Sequence, residues 1–444
     1  MTSPHPSALW RHHDFRQLWT AETVSQLGTQ VTLLALPVLA VSLLDATPLE
    51  MGILTALETA AFLLIGLPAG AWVDRWRRKR VLIAGDLVRA VALASLPVAY
   101  LLDVLALPQL YVVAAVTGTA TVFFDVAYQS YLPALVERDQ IVDGNGKLEA
   151  SRVVAQVAGP GITGVLLRFL GAPLLLVVDA ASFLLSAFFL GRIRQVDVVP
   201  DRSARRRLRS EIAEGLSFVV RHPLLRRIVA CTGTANLFSS MSGTLLVLFA
   251  LRTLGMPEST LGFVFSAGAV GGLVGAVTAA RFARTVGEGR AIPLSALLLL
   301  PSAALTPLAV VGAAEVLLAL GTFGFSWAVV VYNVVQVSFR QRLCPPALLG
   351  RMNASVRFLV FGTMPLGALL GGALGTWLGV VPTLWLAVAG QALAALWVVT
   401  SPLMRMDRLP EEENDGAGSA PPAAPADPSE DVPPPPVGAP GPAG

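Results

Sequence analysis

The sequence predicts an all-α membrane protein of twelve transmembrane helices in two pseudo-symmetric six-helix bundles, and four observations carry that reading. Of 444 residues, 54% are hydrophobic and 14% charged, against about 25% charged in an ordinary soluble domain, and the mean hydropathy is +0.67. About twelve apolar runs of roughly 20 residues, each long enough to span a bilayer, precede residue 404. The basic residues gather in alternate loops, and short stretches recur in register between the halves.

The first-half spans are predicted at 15–43, 50–73, 80–102, 109–131, 147–169 and 172–191, and the second-half spans at 227–250, 258–282, 290–312, 314–338, 352–378 and 381–403. The first run holds Glu22, Gln26 and Gln30 and is followed by no small-residue cleavage site, so it reads as an uncleaved span. Along the chain, one set of loops carries Arg11 and Arg16, the run Arg75 to Arg80, Arg138 and Lys147, and the stretch from Arg192 to Arg227. The same set goes on with Arg281, Arg284, Arg290, Arg340, Arg342, Arg351, Arg405 and Arg408, whereas the opposite loops hold Arg168 and Arg252. Cytoplasmic loops are the ones enriched in Lys and Arg, so both termini are expected in the cytoplasm of a multi-pass cell-membrane protein. An even span count agrees with this.

The expected organisation is a bundle over 1–191, a basic cytoplasmic linker over 192–225, a second bundle over 226–403 and a tail over 404–444. Within the linker, Ser210 to Val220 has Ile212, Leu216 and Val219 on one side of a helix. It reads either as an amphipathic helix lying on anionic headgroups or as a solvated connector. The tail, acidic at Glu411 to Glu413 and then rich in Pro, Ala and Gly, cannot bury a core and is expected to be disordered.

Composition also removes functions. Cys231 and Cys344 are the two cysteines, His5, His12, His13 and His222 all lie outside the apolar runs, and Lys79 and Lys147 stand in no phosphate-binding loop. No metal site, no cofactor, no ATPase and no histidine-based intramembrane catalyst are expected. The dispersed basic residues report topology and not a nucleic-acid partner.

The halves repeat each other. Tyr128-Gln129-Ser130-Tyr131 follows Asp125 as Gln336-Val337-Ser338-Phe339 follows Asn333; Arg152 precedes Pro160 as Arg357 precedes Pro365; and Met51-Gly52-Ile53-Leu54 faintly matches Leu261-Gly262-Phe263-Val264. Duplication of a six-span unit in the membrane points to a transporter.

Two motifs carry the mechanics. The loop Gly70-Ala71-Trp72-Val73-Asp74-Arg75-Trp76-Arg77-Arg78-Lys79-Arg80 resembles the G-x-L-a-D-R-x-G-R-K loop of the major facilitator superfamily, with Gly70, Asp74, Arg75, Arg78 and Lys79 in place and departures at Trp72 and Arg77. The resemblance implies the major facilitator fold and a gating loop in which Asp74 meets the start of span eleven, while the arginines hold headgroups or carboxylates. A basic run that only fixes topology is the other reading. Span five holds Gly159-Pro160-Gly161-Ile162-Thr163-Gly164, which looks like the G-P-x-x-G-G signature of the superfamily's exporters. Proline removes a backbone hydrogen bond and glycine admits a neighbouring helix, so the segment bends or simply packs. Residues 11–19, Asp86-x-x-Arg89, 124–133, 145–152 and Asp179-x-x-Ser182-Phe183 are similar to the branch that includes enterobactin exporters and macrolide efflux proteins.

Ionisable groups inside a bilayer are costly and mark function. Glu22 shares a helix face with Gln26 and Gln30, and Glu58 lies mid-way along span two. These two, with Asp125, are the candidates for proton coupling. Asp125 and Arg152 lie at similar depth and are placed to pair, as a brace or as part of the site. The remaining candidates for the cavity and substrate are Gln26, Gln30, Arg152, Asn236, Tyr332, Asn333, Gln336 and Arg357. Asp86, Arg89 and Asp179 read as scaffold, on helices that are peripheral in the family. The expected function is proton-coupled efflux of an amphipathic small molecule by alternating access, by a monomer whose partners are that substrate, protons and membrane lipids. Metabolite import and lysophospholipid flipping on the same fold are the alternatives. An intramembrane enzyme is disfavoured, since no nucleophile or paired-aspartate motif stands out.

Overall fold

A computed structural model of the chain describes residues 8–73, 75–137, 140–195, 217–344 and 349–406. Among these residues, eleven helices are long and apolar enough to cross a membrane. The longest, Ile141–Gly191, is bent at Gly171 (φ 71°, ψ 163°) into two crossings, so the twelve expected spans are present. Glycine reaches this positive φ without a Cβ clash, and Pro173 just beyond cannot donate a hydrogen bond across the bend.

The first-half helices are α1 His13–Ser42, α2 Pro48–Val73, α3 Arg78–Leu101 and α4 Leu107–Leu135, followed by the arms α5 (141–170) and α6 (172–191). The second half runs α7 Pro223–Leu248, α8 Glu258–Val286, α9 Glu288–Leu308, α10 Ala314–Leu343, α11 Leu349–Trp377 and α12 Val380–Val399. Side chains define the starts of several helices. The Nδ1 of His12 accepts from the Phe15 N–H (3.1 Å) and that of His222 from the Leu225 N–H (3.3 Å), which satisfies amides that have no intrahelical partner. At α2, Glu50 Oε2 accepts from the Thr47 N–H (2.7 Å) and Thr47 Oγ1 from the Glu50 N–H (3.4 Å), a capping box.

Lipid offers no hydrophobic drive between membrane helices, so small residues set which helices meet. The halves touch along two seams, α2 with α11 and α5 with α8. A Cβ on Gly52 would lie 2.9 Å from Gly372 Cα, and one on Gly262 would lie 2.4 Å from Gly164 Cα. Gly52 and Gly262 are the residues matched by the sequence repeat, and each makes the corresponding contact with the other half. Both seams are tightest at the end of the bundle away from the termini. Gly159 brings α5 onto Gln30 of α1 in the same way (2.5 Å to its Cβ). The signature on α5 is therefore a close-packing device on two sides. Replacing Gly262 by Val should prevent this seam from closing and abolish transport, because the obstructing atoms are backbone. Normal transport by Gly262→Val would show that the seam tolerates separation.

Most of the predicted linker helix, including Ile212 and Leu216, lies outside the described residues. Its described end, 217–220, is helical, and Val219 is 1% exposed among Leu225, Val229 and Met352. That turn packs into the second half and not onto headgroups. Asp74 and the tail beyond 406 also lie outside the described residues.

Candidate functional site

Between the halves lies a cavity of about 720 Å³, within the range of about 300–1,000 Å³ typical of small-molecule sites. Its apolar wall comes mainly from the second half, with Phe238 on α7, Phe265 on α8 and Phe325 on α10. The polar side is a strip of α5, Glu149, Arg152 and Gln156, together with Gln30 of α1. The spacing of three and four residues puts the α5 groups on one helix face. Arg152 grips Glu149 through Nε (2.9 Å) and Nη2 (2.6 Å), and both side chains remain about half exposed in the cavity. The halves are closed on each other by the glycine seams at the end away from the termini, and toward the termini Arg357 and Asn333 are left exposed.

Beside it, within the first half, is a cluster of buried charges. Glu22, Arg89, Asp179 and Asp86 are 6%, 5%, 1% and 0% exposed. Arg89 Nη2 donates to Asp86 Oδ1 (2.5 Å), and its guanidinium lies between the rings of Phe124 (4.3 Å) and Phe183 (4.2 Å). Asp179 accepts from Thr32 of α1 and from Ser182 Oγ (2.9 Å). Gly28 makes room for this pair: a Cβ there would fall 2.2 Å from Asp179 Oδ1. Glu22 accepts from Gln26 Nε2 (2.7 Å) with one oxygen, while the other, buried, has no hydrogen-bond partner among the described residues. Glu22 is also within electrostatic reach of Asp125, Arg89 and Asp86. One buried guanidinium thus faces three buried carboxylates and the partly buried Asp125. Uncompensated charge in such a place costs several kcal/mol.

The structure rearranges several sequence expectations. Arg152 pairs with Glu149 and not with Asp125, which feels Arg89, Arg357 and Arg152 only at a distance. Asp86, Arg89 and Asp179 sit in the core of the half beside Glu22, because their helix faces turn inward and not toward lipid. Tyr332 is not in the cavity: its hydroxyl pairs with Thr232 Oγ1 (2.9 Å) and donates to the Ile228 carbonyl (3.3 Å), tying α10 to α7. Gln336 is buried and donates to Asn333 (3.4 Å), Asn236 reaches only the Val360 carbonyl (3.5 Å), and Arg357 lies over the Phe361 ring (5.8 Å). None of these four lines the cavity, nor does Gln26; of the cavity candidates, Gln30 and Arg152 do. The Glu58 carboxylate makes no hydrogen bond or ion pair to a described residue, and α4 packs against the residue's backbone, with a Cβ on Gly118 falling 2.5 Å from its carbonyl oxygen. Glu149 and Gln156 were missed, although their spacing about Arg152 was a legible signal.

In the α2–α3 loop, Lys79 Nζ donates to the carbonyls of Gly191 (3.0 Å) and Ile193 (2.6 Å), so it holds the carbonyl end of α6. A Cβ on Gly70 would meet open space, so close packing does not require this glycine. Arg78 is half-buried and Arg75 is exposed. The sealed end has its own clamp. Arg252, in the π turn Phe249–Thr253 that extends α7, donates to the carbonyls of Ala46 (2.9 Å) and Val41 (2.9 Å) and to Asp45 Oδ1 (3.3 Å). It crosses from the second half to the carbonyl terminus of α1. A cation there is worth up to about 2 kcal/mol. Arg252→Ala should therefore loosen this end up to roughly 30-fold in population. A cysteine at Ser242 should then be labelled faster from the side opposite the termini; an unchanged rate would make the contact incidental.

A solute-sized cavity between two repeated six-helix bundles, sealed at one end, defines a secondary transporter. The family model described as Major Facilitator Superfamily matches residues 18–362, and the chain belongs to that superfamily. It is 29% identical over 391 residues to the multidrug efflux pump Tap of Mycolicibacterium fortuitum, covering 85% of this chain and 93% of Tap. It is 24% identical over 372 residues to the enterobactin exporter EntS of Escherichia coli, covering 83% and 87%. Its fold resembles that of a bacterial homologue of the iron transporter ferroportin, at 17% identity, with TM-score 0.71 against the inward-facing state, covering 87% of this chain and 98% of the other. Against the outward-facing state of that homologue, at 18% identity and the same coverage, the TM-score is 0.53.

Proposed function

We propose that this transporter is a proton-coupled exporter of an amphipathic organic compound, working as a monomer without cofactor and with both termini in the cytoplasm. The observation that carries the reading is the pairing of a cavity, aromatic on one wall and polar on the other, with the undercompensated carboxylate cluster beside it. The aromatic wall takes the apolar body of a substrate, and the Arg152–Glu149 pair and Gln156 take its polar groups. With the termini cytoplasmic, the open cavity is the loading state of an exporter. The row Glu22, Gln26, Gln30 on α1 runs from the cluster to the cavity, so protonation of Glu22 removes a buried charge close to the bound compound. Once Glu22 is neutral, the first half can rock against the second without carrying an unpaired charge through the packed interior. Efflux by Tap and enterobactin export by EntS support the direction.

Transport in inverted vesicles tests it. A pH gradient alone should drive accumulation of amphipathic cations or neutral dyes; a gradient that drives none, while substrate gradients do drive flux, would reduce the protein to a facilitator. Topology has a separate check. In intact cells, a membrane-impermeant thiol reagent should label a cysteine at Thr47 but not one at Ser203, and labelling at Ser203 would reverse the orientation.

A further inference from the structure

The outer side of the first half carries a second cavity, of about 900 Å³, between α3 and α4. It shares no lining residue with the transport cavity. Its rim toward the termini is formed by Arg75, Arg77 and Arg80, all exposed, and none of the three guanidiniums makes a hydrogen bond or ion pair to a described residue. Two of them, Arg77 and Arg80, are outside the family's loop pattern or replace a residue in it. Below the rim the walls are apolar, with Ala84 and Val88 on α3 facing Val116 and Thr119 on α4. Trp76 closes the corner, its ring 5.9 Å from that of Phe123. Trp at this level is a membrane-interface residue, and α3 presents Val88 and Val91 outward at 45% and 70% exposure. The groove therefore opens sideways at acyl-chain depth, not into water.

Three guanidiniums above a narrow apolar trough, with no carboxylate lining it among the described residues, define the chemistry of the occupant. We propose that this groove binds an anionic phospholipid of the cytoplasmic leaflet, with the phosphodiester on Arg77 and Arg80, Arg75 alongside, and one acyl chain lying between α3 and α4. A zwitterionic lipid would bring an ammonium group that has no partner there. A phosphate ester without chains would gain the arginines but leave the trough unfilled. The lipid bridges α3, α4 and the loop whose Lys79 holds the end of α6.

The test is native mass spectrometry of the full-length protein titrated with dioleoyl phosphatidylglycerol or dioleoyl phosphatidylethanolamine. The wild type should retain phosphatidylglycerol in preference to phosphatidylethanolamine. Arg77→Gln/Arg80→Gln should lower phosphatidylglycerol affinity roughly 30-fold, from about a factor of five for each arginine at an anionic surface. Thr119→Trp, which keeps every arginine but fills the trough, should lower it too, and Arg281→Gln/Arg284→Gln on α8 should not. Glycerophosphoglycerol, the headgroup without chains, should not displace the lipid. The proposal is overturned by any of three results: no preference in the wild type, unchanged retention in Thr119→Trp, or displacement by glycerophosphoglycerol. The first and third need no variant, so a misfolded arginine double mutant does not shield the proposal.

Discussion

Glu22→Gln is expected to abolish accumulation driven by a pH gradient in inverted vesicles, to background, while substrate exchange down its own gradient continues. The amide keeps the shape of the carboxyl and the contact with Gln26, so packing is preserved. What it cannot do is take up and release a proton. A carrier locked in the neutral form can still shuttle loaded between its two faces, which is all that exchange requires. The same substitution at Glu58 should have the smaller effect, because Glu58 stands apart from the charge cluster and its carboxylate bonds to no polar group among the described residues. If Glu22→Gln still concentrates substrate on a pH gradient at matched protein amount, Glu22 is not the coupling group, and Glu58→Gln and Asp125→Asn decide between the remaining two.

The second large effect is structural. Arg89→Leu removes the one guanidinium within the buried cluster and leaves Asp86 and Asp179 in the core of the half. Breaking a buried pair in this way costs about 3–5 kcal/mol, and the contacts with Phe124 and Phe183 add about 0.5–2 kcal/mol each. Folded protein in the membrane should fall at least tenfold, measured as the monodisperse peak from detergent extracts. Asp86→Asn/Arg89→Gln should recover a good part of it, since two amides can bond each other without leaving a charge behind. Normal abundance of Arg89→Leu would mean that water or protons already satisfy the carboxylates and that the pair braces nothing.

Asp125→Asn, by contrast, should be mild in folding. The sequence placed Asp125 and Arg152 at one depth and suggested a brace, but Arg152 has its own partner three residues earlier on the same helix. Depth along a helix can be read from a sequence; azimuth relative to a neighbouring helix cannot, and ion pairing depends on both. The same limit explains Tyr332, whose hydroxyl looked available to a substrate and instead ties α10 to α7. It also explains Asp86, Arg89 and Asp179. Their helices are peripheral by order in the family, but the faces that carry these residues point inward, because an unpaired charge toward lipid would be costlier still.

What the sequence determined by itself was everything set by one-dimensional bookkeeping of length and charge. Twelve runs match bilayer thickness, alternate loops hold the arginines, and the glycines matched by the repeat, Gly52 and Gly262, turn up at equivalent contacts between the halves. Those features follow from the cost of burying backbone and charge in hydrocarbon, which acts on each segment separately. Only the tertiary structure decided which end is closed, that Arg252 clamps it onto the carbonyl terminus of α1, and that the cavity wall is made largely of ordinary apolar residues of the second half. Such residues look the same in sequence whether they face lipid, another helix or a substrate. Their role is set by small-residue contacts between helices far apart in the chain, with separations of a few ångströms that no local pattern encodes.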